Sequence, residues 1–183
     1  MKKIVLFLFL ISILSGSVFA QQIHSGWSAV FNTAKLGKRT TLISDIQLRS
    51  TDEWEHVQTF LIRSGLNYSL TKKLGVTAGY AYVSNRRILN GITDYLPEQR
   101  IWEQLLFNHK LSRILVSHRL RFEQRFISKA ITSGQHLETD GYNSAQRVRY
   151  FIRNIIPIRN GTAFNSGLFG ALQNEVFLNF GNK

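Results

Sequence analysis

The sequence predicts an all-β protein: an antiparallel up-and-down transmembrane β-barrel with eight strands visible. Three observations carry that expectation. Segment after segment alternates apolar and polar residues with a period of two. Most of these segments run about 11–14 residues. That exceeds the roughly 5–6 of a typical soluble strand and suits a tilted membrane-spanning strand of about 9–11. Short turns also alternate with longer polar connections along the chain, as in outer-membrane barrels.

The chain of 183 residues opens with "MKKIVLFLFLISILSGSVFA". Lys2 and Lys3 precede an apolar run from Ile4 to Leu14, and small residues end at Ala20. This reads as a secretory signal over 1–20, with one β-barrel domain over 21–183. No cysteine is present, which excludes a disulfide framework, thiolate chemistry and a lipid anchor on an N-terminal cysteine. The formal charge is +12. Nucleic acid is not the expected partner of an exported chain, so the basic balance points to an anionic surface or an internal charge network.

The elements follow in order. The first segment covers about 26–33 and turns at "KLGK". The second, 39–49, places Leu42, Ile46 and Leu48 on one face and Arg39, Asp45 and Arg49 on the other. The third, 57–70, puts Phe60, Ile62, Leu66 and Tyr68 opposite Arg63 and Asn67. After the short turn "TKK", the fourth segment, 74–84, sets Val76, Tyr80 and Tyr82 against Gly75 and Gly79. Glycine at alternate positions leaves room for large neighbours such as arginines opposite. Residues 85–96 read as a long loop. The fifth segment, 98–110, carries Glu98, Arg100, Gln104 and Asn108 on one parity, with Trp102, Glu103 and Leu106 breaking the rule. The sixth runs 114–127, and residues 128–143 read as a second long loop. The seventh, "SAQRVRYFIRNII", alternates Arg147, Arg149 and Arg153 with Val148, Tyr150 and Ile152. "PIRNGT" is a turn, and the eighth segment covers about 163–180.

The stretch "SHRLRFEQRFI" (117–127) tests strand against helix. At about 100° per residue a helix would place Arg119 and Glu123 inside the apolar arc. A strand separates the charges from Leu120, Phe122 and Phe126. The apolar faces then meet lipid, with Tyr68, Tyr80, Tyr82, Phe126 and Tyr150 near strand ends as interfacial girdles. The luminal polar network comprises Asp45, Arg49, Arg63, Arg100, Arg119, Arg121, Glu123, Arg125, Arg147, Arg149, Arg153 and Glu175. Its arginine forks are expected to pair with Asp45, Glu98, Glu123 and Glu175. The reading is a structural plug or binding role. An anion-attracting constriction is the sharper version.

The motifs "EQRIWEQ" (98–104), "RLRFEQRF" (119–126), "QRVRYFIRNIIPI" (146–158) and "NEVFLNFG" (174–181), with Trp27 near the mature N-terminus, resemble the domain-of-unknown-function family numbered 2490. That resemblance implies an outer-membrane β-barrel of unknown activity and carries no catalytic residue with it. It also implies a further hairpin after "NEVFLNF", so the chain is read as truncated and a complete version as having about ten strands. The expected localisation is the cell outer membrane and the expected partner its lipid, with the partner of the long loops unassigned.

Other chemistries are weaker. The five histidines are scattered without metal-ligand spacing, so no metal and no cofactor is expected. A lipid hydrolase would need a serine, a histidine and an acid. Ser117 and His118 are adjacent and so face opposite sides of a strand, leaving Ser133, His136, Glu138 and Asp140 in a loop as the best set. "GLFG" (167–170) lacks the residues of a phosphate loop. The principal alternative to the membrane barrel is a soluble periplasmic ligand-binding barrel, which would put aromatics inside and arginines outside.

Overall fold

The computed structural model describes residues 25–51, 54–158 and 168–181. The signal segment and most of the turn before the last strand lie outside them. Eight strands follow one another: β1 (Trp27–Lys35), β2 (Thr40–Ser50), β3 (Val57–Ser69), β4 (Leu74–Leu89), β5 (Ile92–Leu111), β6 (Ile114–Ser133), β7 (His136–Pro157) and β8 (Phe169–Phe180). Each pairs antiparallel with the next, giving one sheet in the order β1 to β8.

The two stretches read as long loops are strand instead. β4 and β5 continue in register to a turn at Asn90-Gly91, where both residues have positive φ (52° and 78°). That is the type I′ geometry that suits a twisted hairpin. β6 and β7 likewise continue to Gly134-Gln135, past an irregularity between Ser128 and Ala130. Across from it, Gly141 takes φ 77°. The centre of the sheet is therefore built of strands of 20 to 22 residues.

The two faces differ sharply. Asp45, Glu98, Trp102, Gln104, Arg121 and Glu123 are buried on the concave side. Ile46, Ile62, Leu66, Tyr68, Tyr80, Leu105, Leu120, Tyr150 and Val176 stand exposed on the convex side. The arginines thus point inward, the opposite of the soluble ligand-binding barrel, and that alternative falls with its closed cavity.

The closed transmembrane barrel does not form either. The sheet is an open, curled half-barrel whose edges, β1 and β8, stand 17 Å apart. Paired strands lie about 4.8 Å apart, so the gap exceeds three strand spacings. The concave side chains supply a reason. The interior of an eight-stranded ring is just wide enough for its side chains, and here long arginines and an indole fill it from one side. An open edge leaves backbone N–H and C=O groups that a bilayer core cannot satisfy. The outer-membrane localisation, the lipid partner and the girdle role of the tyrosines rested on closure, and the open sheet supports none of them. A pore fails on the same ground, because an open trough encloses no conduit.

Candidate functional site

Among the described residues two polar clusters cross the concave face. The floor of the first is Trp102, 2% exposed, which lies over Gly65 and Gly79, a cross-strand pair. A Cβ at Gly65 would meet the indole at 2.6 Å, and one at Gly79 would meet it at 2.5 Å. Gly65 of β3 and Gly79 of β4 therefore make room for a tryptophan, while Gly75 lies against Asn67; neither glycine of β4 accommodates an arginine. Two guanidinium groups stack on the indole, Arg121 at 4.7 Å and Arg63 at 5.6 Å from its ring centre. This is cation–π geometry.

From this floor the contacts run outward on both sides. Toward β2, Arg63 Nε donates to Asp45 Oδ1 at 2.8 Å, and Gln47 donates to Asp45 Oδ2 at 2.7 Å. Toward β6, Arg121 donates through Nε and Nη2 to Gln104 Oε1 at 3.1 and 2.8 Å. Gln104 in turn donates to Thr77, which donates to Asn67. Glu123 Oε1 lies 3.7 Å from Arg121 and 3.3 Å from Arg149. Arg149 also meets Glu175 at 2.7 Å, and Arg119 meets Glu175 at 2.9 Å. A second cluster surrounds Glu98, which accepts from Arg100 at 2.7 Å, from Arg125 at 2.5 Å and from Asn85 at 3.1 Å.

Of the residues expected in the network, Asp45, Arg63, Arg100, Arg119, Arg121, Glu123, Arg125, Arg149 and Glu175 are tied together in these clusters. Three are placed differently. Arg49 lies over the Trp27 ring at 5.7 Å. Arg147 donates to Asn179 at 2.6 Å and lies over Phe177 at 5.3 Å. Arg153 has its buried Nε without a hydrogen-bond partner among the described residues. Sequence reasoning missed Gln47, Thr77, Asn85, Trp102 and Asn179. All five occupy the concave parity of their strands, which is the signal that could have found them.

The electrostatics are under-compensated. In the body of the sheet the concave face carries Arg49, Arg63, Arg100, Arg119, Arg121, Arg125, Arg147, Arg149 and Arg153 against Asp45, Glu98, Glu123 and Glu175. Burial, then the like charges of Arg63 and Arg119, push the Arg121 guanidinium down to about 9 despite Glu123. Burial also lowers Arg119, against the pull of Glu175. Arg147 is lowered by burial and then by Arg125, with Arg100 and Arg149 adding to it and Glu123 opposing. Arg149 is the exception: hydrogen bonds and charge from Glu175 and Glu123 outweigh its burial and raise it.

Of the hydrolase candidates, Ser133 and His136 stand opposite each other across the β6–β7 hairpin, but no hydrogen bond joins them among the described residues. His118 faces the convex side, with its Nδ1 2.8 Å from the Tyr150 hydroxyl. His136 stands on an exposed rim, 3.6 Å from Asp94. Among the described residues no group of three or more His, Cys, Asp or Glu is arranged to hold a metal ion, and no helix is long and apolar enough to cross a membrane, which leaves strands aside.

Comparison with known proteins returns no match among curated proteins and none among solved structures. One family profile does match, described as a protein of unknown function, and it spans residues 24–183. The chain therefore belongs to the DUF2490 family.

Proposed function

We propose that this domain is a binding module whose concave trough takes an anionic ligand, with the polar network as its site. The observation that supports it is the excess of guanidinium over carboxylate on that one face. A buried cation without a counter-charge is costly, and bringing an anion to it recovers part of that cost. Arginine presents a planar fork that fits carboxylate and phosphate. Within the trough the two parts differ. Around Trp102 the forks are already occupied by Asp45, Gln104 and Glu123. That part holds the curvature of the face. Toward β8, Arg147 is half-buried, bonded to a neutral asparagine and crowded by Arg125, Arg100 and Arg149. An incoming anion would be met there. The trough lies on an open sheet, so the reading is of capture and not of conduction.

The test is calorimetric titration of the folded protein with citrate and with inorganic phosphate at low salt. Saturable binding is expected, weakened by added salt and by about tenfold in Arg147→Gln. Absence of saturation, or unchanged affinity in a folded Arg147→Gln, would refute the reading.

A further inference from the structure

The convex face has a site of its own. Read across the sheet in register, Leu66, Ala78, Glu103, Phe122 and Val148 form one row. Glu103 is the charge in that row, and Ala78 is its small member. Beside it runs a second row, with Tyr68, Val76, Leu105 and Leu120. Where the small alanine lets the surface dip between these rows, there is a groove of about 580 Å³ lined by Leu66, Tyr68, Val76, Leu105 and Phe122, with Glu103 at its wall. That volume is in the range of small-molecule sites, about 300–1,000 Å³, and so is the make-up of an apolar lining with one polar anchor.

Glu103 makes no ion pair or hydrogen bond among the described residues, although the chain has 23 Lys and Arg. The arginines of β6 and β7 all project to the other side. A carboxylate set alone in an apolar groove calls for a cation that brings its own hydrocarbon. We propose that this groove binds an amphiphilic organic ammonium compound. Its head group lies against Glu103 and its apolar body lies along Leu66, Leu105 and Leu120. The exposed Tyr68 ring offers a π face to the same cation. This site is independent of the concave trough, since the two open on opposite faces and select opposite charges.

The test uses monomeric dodecyltrimethylammonium and the uncharged dodecyl maltoside, each titrated calorimetrically into the full chain below its micelle concentration. The cation is expected to bind about tenfold more tightly than the maltoside. Glu103→Gln should remove that preference and leave the maltoside unchanged. Ala78→Leu should fill the dip and weaken both. Both positions are on the surface, so circular dichroism should match the parent. Equal affinity for the two probes, no binding of the cation, or a Glu103→Gln variant that still prefers the ammonium would each overturn the proposal.

Discussion

Glu98 shows what the concave face does to one ionisable group. It is 1% exposed, and burial alone would raise its carboxyl. Hydrogen bonds and charge from Arg125 and Arg100 outweigh that and bring it from 4.5 to about 2. The folded value thus lies below the unfolded one. Its stabilisation is therefore present above about pH 4.5 and is lost as pH falls through about 2. The difference corresponds to about 3 kcal/mol at neutral pH. Glu98→Gln should be less stable than the parent at pH 7 by up to that amount, and the two should converge as pH falls toward 2. Urea unfolding of both proteins at pH 7 and at pH 3 measures this. The same gap at both values would show that the arginines do not hold the charged form. Taking the difference between the two proteins also cancels the contribution of Glu175, whose carboxyl is lowered as well by Arg149 and Arg119 against its burial.

Among the elements, the turn between β5 and β6 carries a local cost. Ser112 takes φ 55° without being glycine, and an L-residue there loses roughly 1–2 kcal/mol to contact between its Cβ and the following carbonyl. Ser112→Gly removes that contact and gives back part of the gain through a freer unfolded chain. A net stabilisation of about 0.5–1 kcal/mol is expected, whereas Ser112→Pro, with φ fixed near −65°, should destabilise. Denaturation midpoints decide it, and a Ser112→Gly midpoint at or below the parent's would show that the turn is unstrained. The elements also show where a sequence can be read. Period-two alternation located the bodies of the second, third, fourth, sixth and seventh strands, where polar or small residues share one face and apolar ones the other; the first and last were bounded by turn chemistry, and Trp102, Glu103 and Leu106 broke the pattern in the fifth. It failed over 85–96 and 128–143, where apolar and polar residues mix on each face, Leu96 and Leu137 even being buried, and the alternation disappears. The Asn90-Gly91 dipeptide was a hairpin signal in its own right, hidden by the charges around it. Trp102 was misread for a related reason. It shares parity with Glu98, Arg100 and Gln104, so the polar face there carries an apolar residue on which Arg63 and Arg121 stack. Arg119, Arg121, Arg125 and Glu123 were legible because nothing interrupts "RLRFEQR".

For the molecule as a whole, the property the sequence could not express was closure. Whether eight strands meet depends on their tilt and stagger, which alternation along a single strand does not record. Alternation is the same in a closed ring and in an open trough. The open form has a measurable consequence at its edges. In an antiparallel pair each strand directs alternate amides at its partner, so β1 and β8, paired on one side, leave the other amides facing out. β5 and β6 are paired on both sides. Hydrogen exchange of the folded protein should therefore split each edge strand. About half the amides of Trp27–Lys35 and Phe169–Phe180 should exchange at near solvent rates, while those in the middle of β5 and β6 stay protected. A sheet closed through β1 and β8 would protect both sets of edge amides alike. Near-uniform protection along β1 and β8, matching that of β5, would mean that in solution these edges find partners across the 17 Å opening.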